Sequence, residues 1–150
     1  MIQLAPLDRD KLRALTEDIL MCKKELVKLT DLSKEEFLRK EHSYAVTEHF
    51  FRRALEGILT AGTHILSRLP IETKDYTAII QSLGKAGVIS PEFAQRNKGL
   101  AGYRNRLVHM YWEVTVEELY DTVREHLEDI EKFAEAFIAV QRNPKKFGLS

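Results

Sequence analysis

Apolar residues recur every three or four positions along most of the chain, and no segment alternates apolar and polar residues as a strand does. This spacing predicts helices over about 8–29, 33–68, 73–83, 91–109 and 116–140. Such a set of elements predicts an all-α, up-and-down bundle of four or five helices.

Capping signals mark the ends of these predicted helices. Residues 33–36 and 115–118 form capping boxes, in which a Ser or Thr is followed three positions later by Glu. Ser90 precedes a proline, as expected at a helix N-terminus, and Gly84 is expected to end the helix before it. The long second helix has a candidate break over 40–43.

The fourth predicted helix carries a permanent charge on its apolar side. At about 100° per residue, that side consists of Phe93, Leu100, Leu107 and Val108. Arg104 lies in its middle, so it needs an acidic partner or a polar cleft. The sequence does not decide whether Glu56 is that partner or an exposed acid. Gly99 and Gly102 are expected to let another helix approach closely.

Length and charge limit the class of protein. The 150 residues fit one domain, residues 1–150, with a short tail over 142–150. The chain has 23 Lys and Arg and 23 Asp and Glu, so its net charge predicts neither a nucleic-acid binder nor a membrane binder. This balance conceals a basic segment, 93–112, beside a strongly acidic one, 117–135.

The sequence shows no pattern typical of an export signal, a membrane span or a metal site. The N-terminus lacks a basic start, and no apolar run approaches the ~20 residues of a membrane span. Cys22 lies on an apolar helix side and is expected to be buried. His42, His49 and His64 lack metal-site spacing and are expected to be solvated or at an interface. We therefore expect a cytoplasmic protein without a cofactor.

Four residues within eight positions carry candidate chemistry: Arg104, Asn105, His109 and Tyr111. They offer a cation, an amide, a group that exchanges protons near neutral pH, and a phenol. This set suits a phosphodiester, because arginine can hold the nonbridging oxygens while histidine moves a proton. In RNA the adjacent 2′-hydroxyl can be the nucleophile, so that the reaction requires no metal ion.

The spacing of Arg104 and His109 creates a geometric difficulty. Five residues of regular helix would direct these two side chains about 140° apart. Either the helix ends or unwinds before His109, or a second copy of the stretch completes the site across a twofold axis. We expect both to contribute.

The stretch 99–114 resembles the HepT-like branch of the HEPN superfamily. The family pattern of Arg, a polar residue, three more residues, His, one residue and Tyr is matched by Arg104, Asn105, His109 and Tyr111. The resemblance implies a HEPN-like all-α homodimer that acts as a metal-independent ribonuclease toxin, with the motif at a shared cleft. It also implies a cognate antitoxin, a minimal nucleotidyltransferase that neutralises the toxin by transferring AMP to Tyr111.

Two other classes of function remain open at this point. The chain could be a non-catalytic module that binds nucleotide or substrate for a minimal nucleotidyltransferase, or a structural dimer in which Arg104 fixes helix register. Arg106 projects away from Arg104 and is expected to be solvated, with a nonspecific RNA contact as its candidate role. Trp112 is expected to pack rather than to stack on a base.

Overall fold

The computed structural model describes residues 4–150, and all regular secondary structure in this range is helical. The α-helices of this range are α1 (Arg9–Thr30), α2 (Lys34–Arg39), α3 (Ser43–Leu66), α4 (Ile79–Lys85), α5 (Pro91–Asn97), α6 (Leu100–His109) and α7 (Val116–Arg142). Short 3₁₀ helices lie at Tyr76–Ala78, Tyr111–Glu113 and Pro144–Phe147. The predicted all-α fold is confirmed.

The long helices α1, α3 and α7 pack on one another and supply the centre of the hydrophobic core. The largest fully buried side chains of these three helices are Leu12, Ile19, Leu26, Phe51, Leu55, Ile58, Leu59, Ile65, Phe133 and Phe137. Burial of each such side chain stabilises the fold by roughly 1.5–3 kcal/mol. The shorter α4 and α6 lie against α3, and this packing places α6 on the outside of the bundle.

The predicted break in the second helix is confirmed. Ser33 caps α2 by accepting a hydrogen bond from the Glu36 amide at 3.2 Å, and α2 ends at Arg39. His42 then adopts the left-handed conformation, with φ of 67°, immediately before α3 begins. An α-helix cannot pass through that conformation, so the chain changes direction there.

The third predicted helix begins later than expected, and the glycine that ends it was predicted wrongly. Asp75 caps a 3₁₀ turn that leads into α4, so residues 73–75 are not helical. Gly84 lies inside α4, and Gly87, with φ of 78°, follows the helix instead. A Cβ at Gly84 would lie 2.8 Å from the Ala94 Cβ, so glycine there permits close packing of α4 on α5.

The fourth predicted helix is two helices, α5 and α6, separated by Lys98 and Gly99. Asn97 ends α5 in a fully buried position, where its side-chain amide donates to the Phe93 carbonyl at 3.0 Å. The expectation that Gly99 and Gly102 admit a neighbouring helix is wrong within residues 4–150. Apart from the adjoining residues and the local helix backbone, no atom of this range lies within 4 Å of a Cβ built on either glycine.

The C-terminal residues pack against the bundle. After the 3₁₀ helix, Gly148 turns the chain with φ of 78°, and Leu149 is buried in the core. The Ser150 carbonyl accepts a hydrogen bond from the Leu7 amide at 2.8 Å, which joins the two ends of the described chain. None of the helices in residues 4–150 is long and apolar enough to cross a lipid bilayer.

His64 is neither solvated nor at a free surface, contrary to the prediction for the three histidines of this region. It lies in the last turn of α3, is buried, and accepts a hydrogen bond from the Asp8 amide through its Nε2 at 3.1 Å. Burial lowers the pKa of His64, and the nearby Arg68 and Lys11 lower it further. The neutral imidazole therefore anchors the N-terminus of α1.

We expect the free energy of unfolding to fall as the pH drops through about 6.5, because the unfolded chain then binds the His64 proton that the folded chain resists. Urea unfolding at about pH 7.5 and about pH 5.5 measures this loss. His64→Gln retains a hydrogen-bond acceptor but cannot titrate, so its loss of stability with acid should be smaller. Identical pH dependence in both proteins would contradict this role.

Candidate active site

Arg104 projects from α6 toward α3, and the structure answers the question that the sequence left open. Its Nη2 donates to Oε1 of Glu56 at 3.3 Å, and its Nη1 donates to Oδ1 of Asn105 at 3.1 Å. Glu56 is therefore the internal partner. The guanidinium carbon lies 5.6 Å from the centre of the Tyr76 ring.

Glu56 belongs to a row of alternating charges along α3. Arg52 lies one turn earlier, 3.5 Å from the same carboxylate oxygen, and also bonds Glu48 at 3.0 Å. Glu56 thus holds two cations, and Arg104 is fixed in orientation without using all of its donors. Its Nε is buried and has no hydrogen-bond partner within residues 4–150, while a quarter of the side chain remains exposed.

His109 is the last residue of α6 and is exposed to solvent. Its ring forms no hydrogen bond or ion pair with the part of the chain that the structure describes. Since α6 stays helical through His109, the expectation that the helix ends or unwinds before this residue is wrong. The two side chains therefore diverge by about 140° around α6.

Tyr111 and Trp112 follow α6 in a 3₁₀ turn and are strongly exposed. The exposed fractions are 60% for Tyr111 and 69% for Trp112, so the expectation that Trp112 packs is wrong within the described chain. Their rings meet edge to face with centres 5.5 Å apart. Tyr44 donates from its hydroxyl to the Tyr111 carbonyl at 3.3 Å, which fixes the turn but leaves the Tyr111 phenol free of any bond within residues 4–150.

Arg106 is not free in solvent, contrary to the sequence expectation. Its two terminal nitrogens each donate to one oxygen of the Glu118 carboxylate at 3.1 Å. The guanidinium also lies 5.4 Å from the centre of the Tyr103 ring, and burial raises the pKa of that phenol. The ion pair of Arg106 with Glu118 and the 2.8 Å ion pair of Arg96 with Asp129 join the predicted basic segment to the acidic helix α7.

The remaining candidate ligands and nucleophiles do not form a site. Cys22 is fully buried, as predicted, and burial raises the pKa of its thiol to about 11, so the thiol stays protonated near neutral pH. Within residues 4–150, no three side chains of His, Cys, Asp and Glu converge as metal ligands do.

A family model and a curated relative both match this sequence. A family model described as "Ribonuclease HepT-like" matches residues 19–137, from the middle of α1 into α7. The chain belongs to the HepT-like family. A curated relative, the tRNA nuclease HepT of Aphanizomenon flos-aquae (strain 2012/KM1/D3), is 31% identical over 98 residues. The match spans 63% of this HepT-like chain and 65% of that relative.

Solved structures share the fold at low sequence identity. A tri-AMPylated HEPN toxin of Shewanella oneidensis, in complex with an MNT antitoxin, has a TM-score of 0.74 and 22% identity. The alignment covers 87% of this chain and 98% of that one. The cytosolic protein of unknown function YutE from Bacillus subtilis has a TM-score of 0.71 and 20% identity, with 93% and 92% covered. The HepT-like chain thus has the HEPN all-α fold.

Sequence reasoning missed Tyr76 and the charge row around Glu56. The acids and arginine of that row are spaced four residues apart on one helix, a pattern that predicts ion pairs and was available in the sequence. Tyr76 had no comparable signal. It reaches Arg104 only because the 3₁₀ turn before α4 folds back beside α6.

We expect Arg104→Ala to lower the free energy of unfolding by no more than about 1 kcal/mol, because the ion pair is partly exposed and Glu56 retains Arg52. The matched control is Leu107→Ala on the same helix, which removes a buried side chain and should cost about 2–5 kcal/mol. Denaturant unfolding measures both values. A loss at Arg104 as large as that at Leu107 would identify the arginine as a structural residue.

Proposed function

We propose that this HepT-like protein is a metal-independent endoribonuclease toxin of a toxin–antitoxin pair. It acts as a homodimer of single-domain subunits, and the motif residues Arg104, Asn105 and His109 cut RNA at a cleft shared by both subunits. The observation that carries the proposal is an arginine held in place with part of its side chain exposed, on the same short helix as an exposed histidine that has no partner within residues 4–150.

Arg104 binds the scissile phosphate in this scheme. Glu56 and Asn105 orient the guanidinium before substrate arrives, so little reorganisation accompanies the reaction. The phosphate gains a bidentate cation that stabilises the additional negative charge of the transition state. Asn105 acts through Arg104 as a positioning residue, and its side-chain NH₂ can in addition donate to the RNA.

His109 moves the proton. The 2′-hydroxyl oxygen of the substrate attacks the adjacent phosphorus, the bond from phosphorus to the 5′-oxygen breaks, and a 2′,3′-cyclic phosphate and a 5′-hydroxyl result. One proton leaves the 2′-hydroxyl and one reaches the departing oxygen, so the overall step is balanced without a metal ion. An exposed imidazole suits either transfer.

The angle between the two side chains supports a site shared by two subunits. Within one regular helix, the side chains of Arg104 and His109 diverge by about 140°. The two side chains of a single chain are therefore poorly placed to contact the same phosphate. A twofold axis beside α6 would bring the arginine of one subunit toward the histidine of the other. Arg106 has at most a nonspecific role toward RNA, because Glu118 already neutralises it.

Tyr111 is the proposed acceptor of AMP from a cognate minimal nucleotidyltransferase. Its phenol is exposed and lies two residues after His109. The phenol oxygen attacks the α-phosphorus of ATP, pyrophosphate leaves, and the phenol proton passes to solvent or to the partner. The added phosphodiester would occupy the cleft with negative charge and repel RNA. The Shewanella oneidensis neighbour, a toxin AMPylated and bound by its antitoxin, supports this assignment.

We expect the purified protein to cleave RNA in the presence of a chelator, and we expect Arg104→Ala and His109→Ala to reduce the rate by at least about 100-fold each. Gel analysis of labelled RNA measures the rate, with Arg106→Gln as the matched control that should retain most activity. Unchanged cleavage in either motif variant would refute the mechanism. Nucleotide binding without any RNA cleavage would favour the non-catalytic binding module.

A mixture of the two inactive variants tests the shared site. If each site takes Arg104 from one subunit and His109 from the other, a mixed dimer contains one intact site and regains activity. If both residues come from one subunit, the mixture stays inactive.

We expect co-expression with the partner nucleotidyltransferase to add the mass of AMP to the protein and to abolish RNA cleavage, because the modified phenol blocks the cleft. Intact-mass spectrometry and peptide mapping locate the modification. Tyr111→Phe should lose it and stay toxic in the presence of the partner, whereas Tyr120→Phe, on a phenol that bonds the Leu32 carbonyl, should be modified normally. An unmodified Tyr111 beside an active partner would remove this role.

A further inference from the structure

Tyr76 separates the guanidinium of Arg104 from two adjoining cavities. The first cavity, of about 360 Å³, has Tyr76 as a wall, and Leu66, Ile71 and Ile79 supply apolar lining. Asp75 also borders this cavity. Its volume lies in the range of sites that hold small organic ligands.

The second cavity, of about 240 Å³, lies beyond Tyr76 and is basic. Lys11 and Arg68 line it, together with the buried His64. Thr63 and Ser67 line both cavities, so the two adjoin along the C-terminal half of α3. We call this pair of cavities the α3 groove.

The α3 groove combines the features that proteins use to bind single-stranded nucleic acid. Its aromatic wall can stack on a base of any sequence, and the cations of Lys11 and Arg68 can bind a backbone phosphate. Arg68 also donates to the Pro6 carbonyl at 3.3 Å and to the Ser67 hydroxyl at 2.7 Å. Tyr76 is 38% exposed and its ring also contacts Arg104, so a base against this ring lies next to the proposed scissile phosphate.

We propose that the α3 groove holds the single-stranded RNA beside the cleavage site, with one nucleobase against Tyr76 and a backbone phosphate between Lys11 and Arg68. This inference rests on the proposed nuclease function and adds the position of its substrate. RNA is the occupant that the charges favour, since phosphate complements the two cations. A second copy of this same face, related by a twofold axis, would bring like charges together.

Asp75 adds a preference among bases. Its Oδ1 accepts from the Ala78 amide at 3.1 Å and from the Thr77 hydroxyl at 2.6 Å, and these bonds lower the pKa of the carboxyl. The Asp75 side chain is therefore an acceptor only, and its Oδ2 has no hydrogen-bond partner within residues 4–150. The exocyclic amino group of cytosine can donate to Oδ2, whereas uracil lacks that group and offers only its N3–H as a donor on the base edge.

The test measures binding separately from cleavage. The His109→Ala protein is titrated into a fluorescently labelled oligoribonucleotide of mixed sequence, and the dissociation constant is read from anisotropy. Tyr76→Ala should weaken binding on the order of ten-fold, and Tyr76→Phe should leave it nearly unchanged because the ring remains. Lys11→Gln should lower the slope of log affinity against log salt by about 0.7, since one phosphate contact is lost.

Thr63→Trp supplies a variant that fills the α3 groove without altering Tyr76 or Arg104. It should weaken binding at least as much as Tyr76→Ala. The matched control is Val46→Trp, an exposed position on the same helix about 25 Å away, which should bind normally. Circular dichroism and thermal melting establish that each variant is folded.

A base preference gives a second, independent readout. The protein should bind oligo(C) more tightly than oligo(U), by about three-fold or more for one added hydrogen bond. Asp75→Asn keeps an acceptor for the Thr77 hydroxyl and the Ala78 amide but presents an NH₂ group, so the preference should shift toward uracil. An unchanged preference in Asp75→Asn would refute the assignment of Asp75.

The outcomes separate this inference from the nuclease proposal. RNA binding that is insensitive to both Tyr76→Ala and Thr63→Trp overturns the groove, even if the wild-type protein cuts RNA. Binding that depends on both residues supports the groove, even if the wild-type protein leaves RNA intact. If Thr63→Trp changes only the oligomeric state measured by light scattering, a second copy of the chain covers this face and the inference is wrong.

Discussion

The ion pair between Arg104 on α6 and Glu56 on α3 is the constraint around which the candidate site is arranged. A charge that arginine cannot lose stands on the side of α6 that faces the bundle, so its burial requires an acid at that depth. Glu56 provides it and is itself balanced by Arg52. The pair is partly open to solvent, so its main effect is to orient the guanidinium, and the core supplies the stability.

A second arginine fixes the opposite side of the same helix. Arg106 lies two residues after Arg104, about 200° around α6, and binds Glu118 on α7 through two hydrogen bonds. The short helix is thus held between two long ones by a pair of arginines that face opposite ways. This arrangement leaves the C-terminal end of α6 as the part that projects into solvent, with His109, Tyr111 and Trp112 exposed there.

The solved relatives illustrate how loosely sequence constrains this fold. Chains about 20% identical share it with TM-scores above 0.7, because any apolar residue of suitable size can fill the core formed by α1, α3 and α7. By contrast, the guanidinium of Arg104 meets the Glu56 carboxylate in a fixed geometry, which another cation of similar charge would not reproduce.

The sequence by itself determined the all-helical fold, the caps at Ser33, Ser90 and Thr115, and the break before α3, because these depend on periodicity and on contacts between residues close in the chain. It also singled out Arg104, since a charge on an apolar side is visible in the pattern. Only the tertiary structure decided that Glu56 is the partner of Arg104, that Glu118 binds Arg106, and that Trp112 is exposed. Such contacts join positions far apart in sequence, and the packing of whole helices, which no local pattern encodes, brings them together.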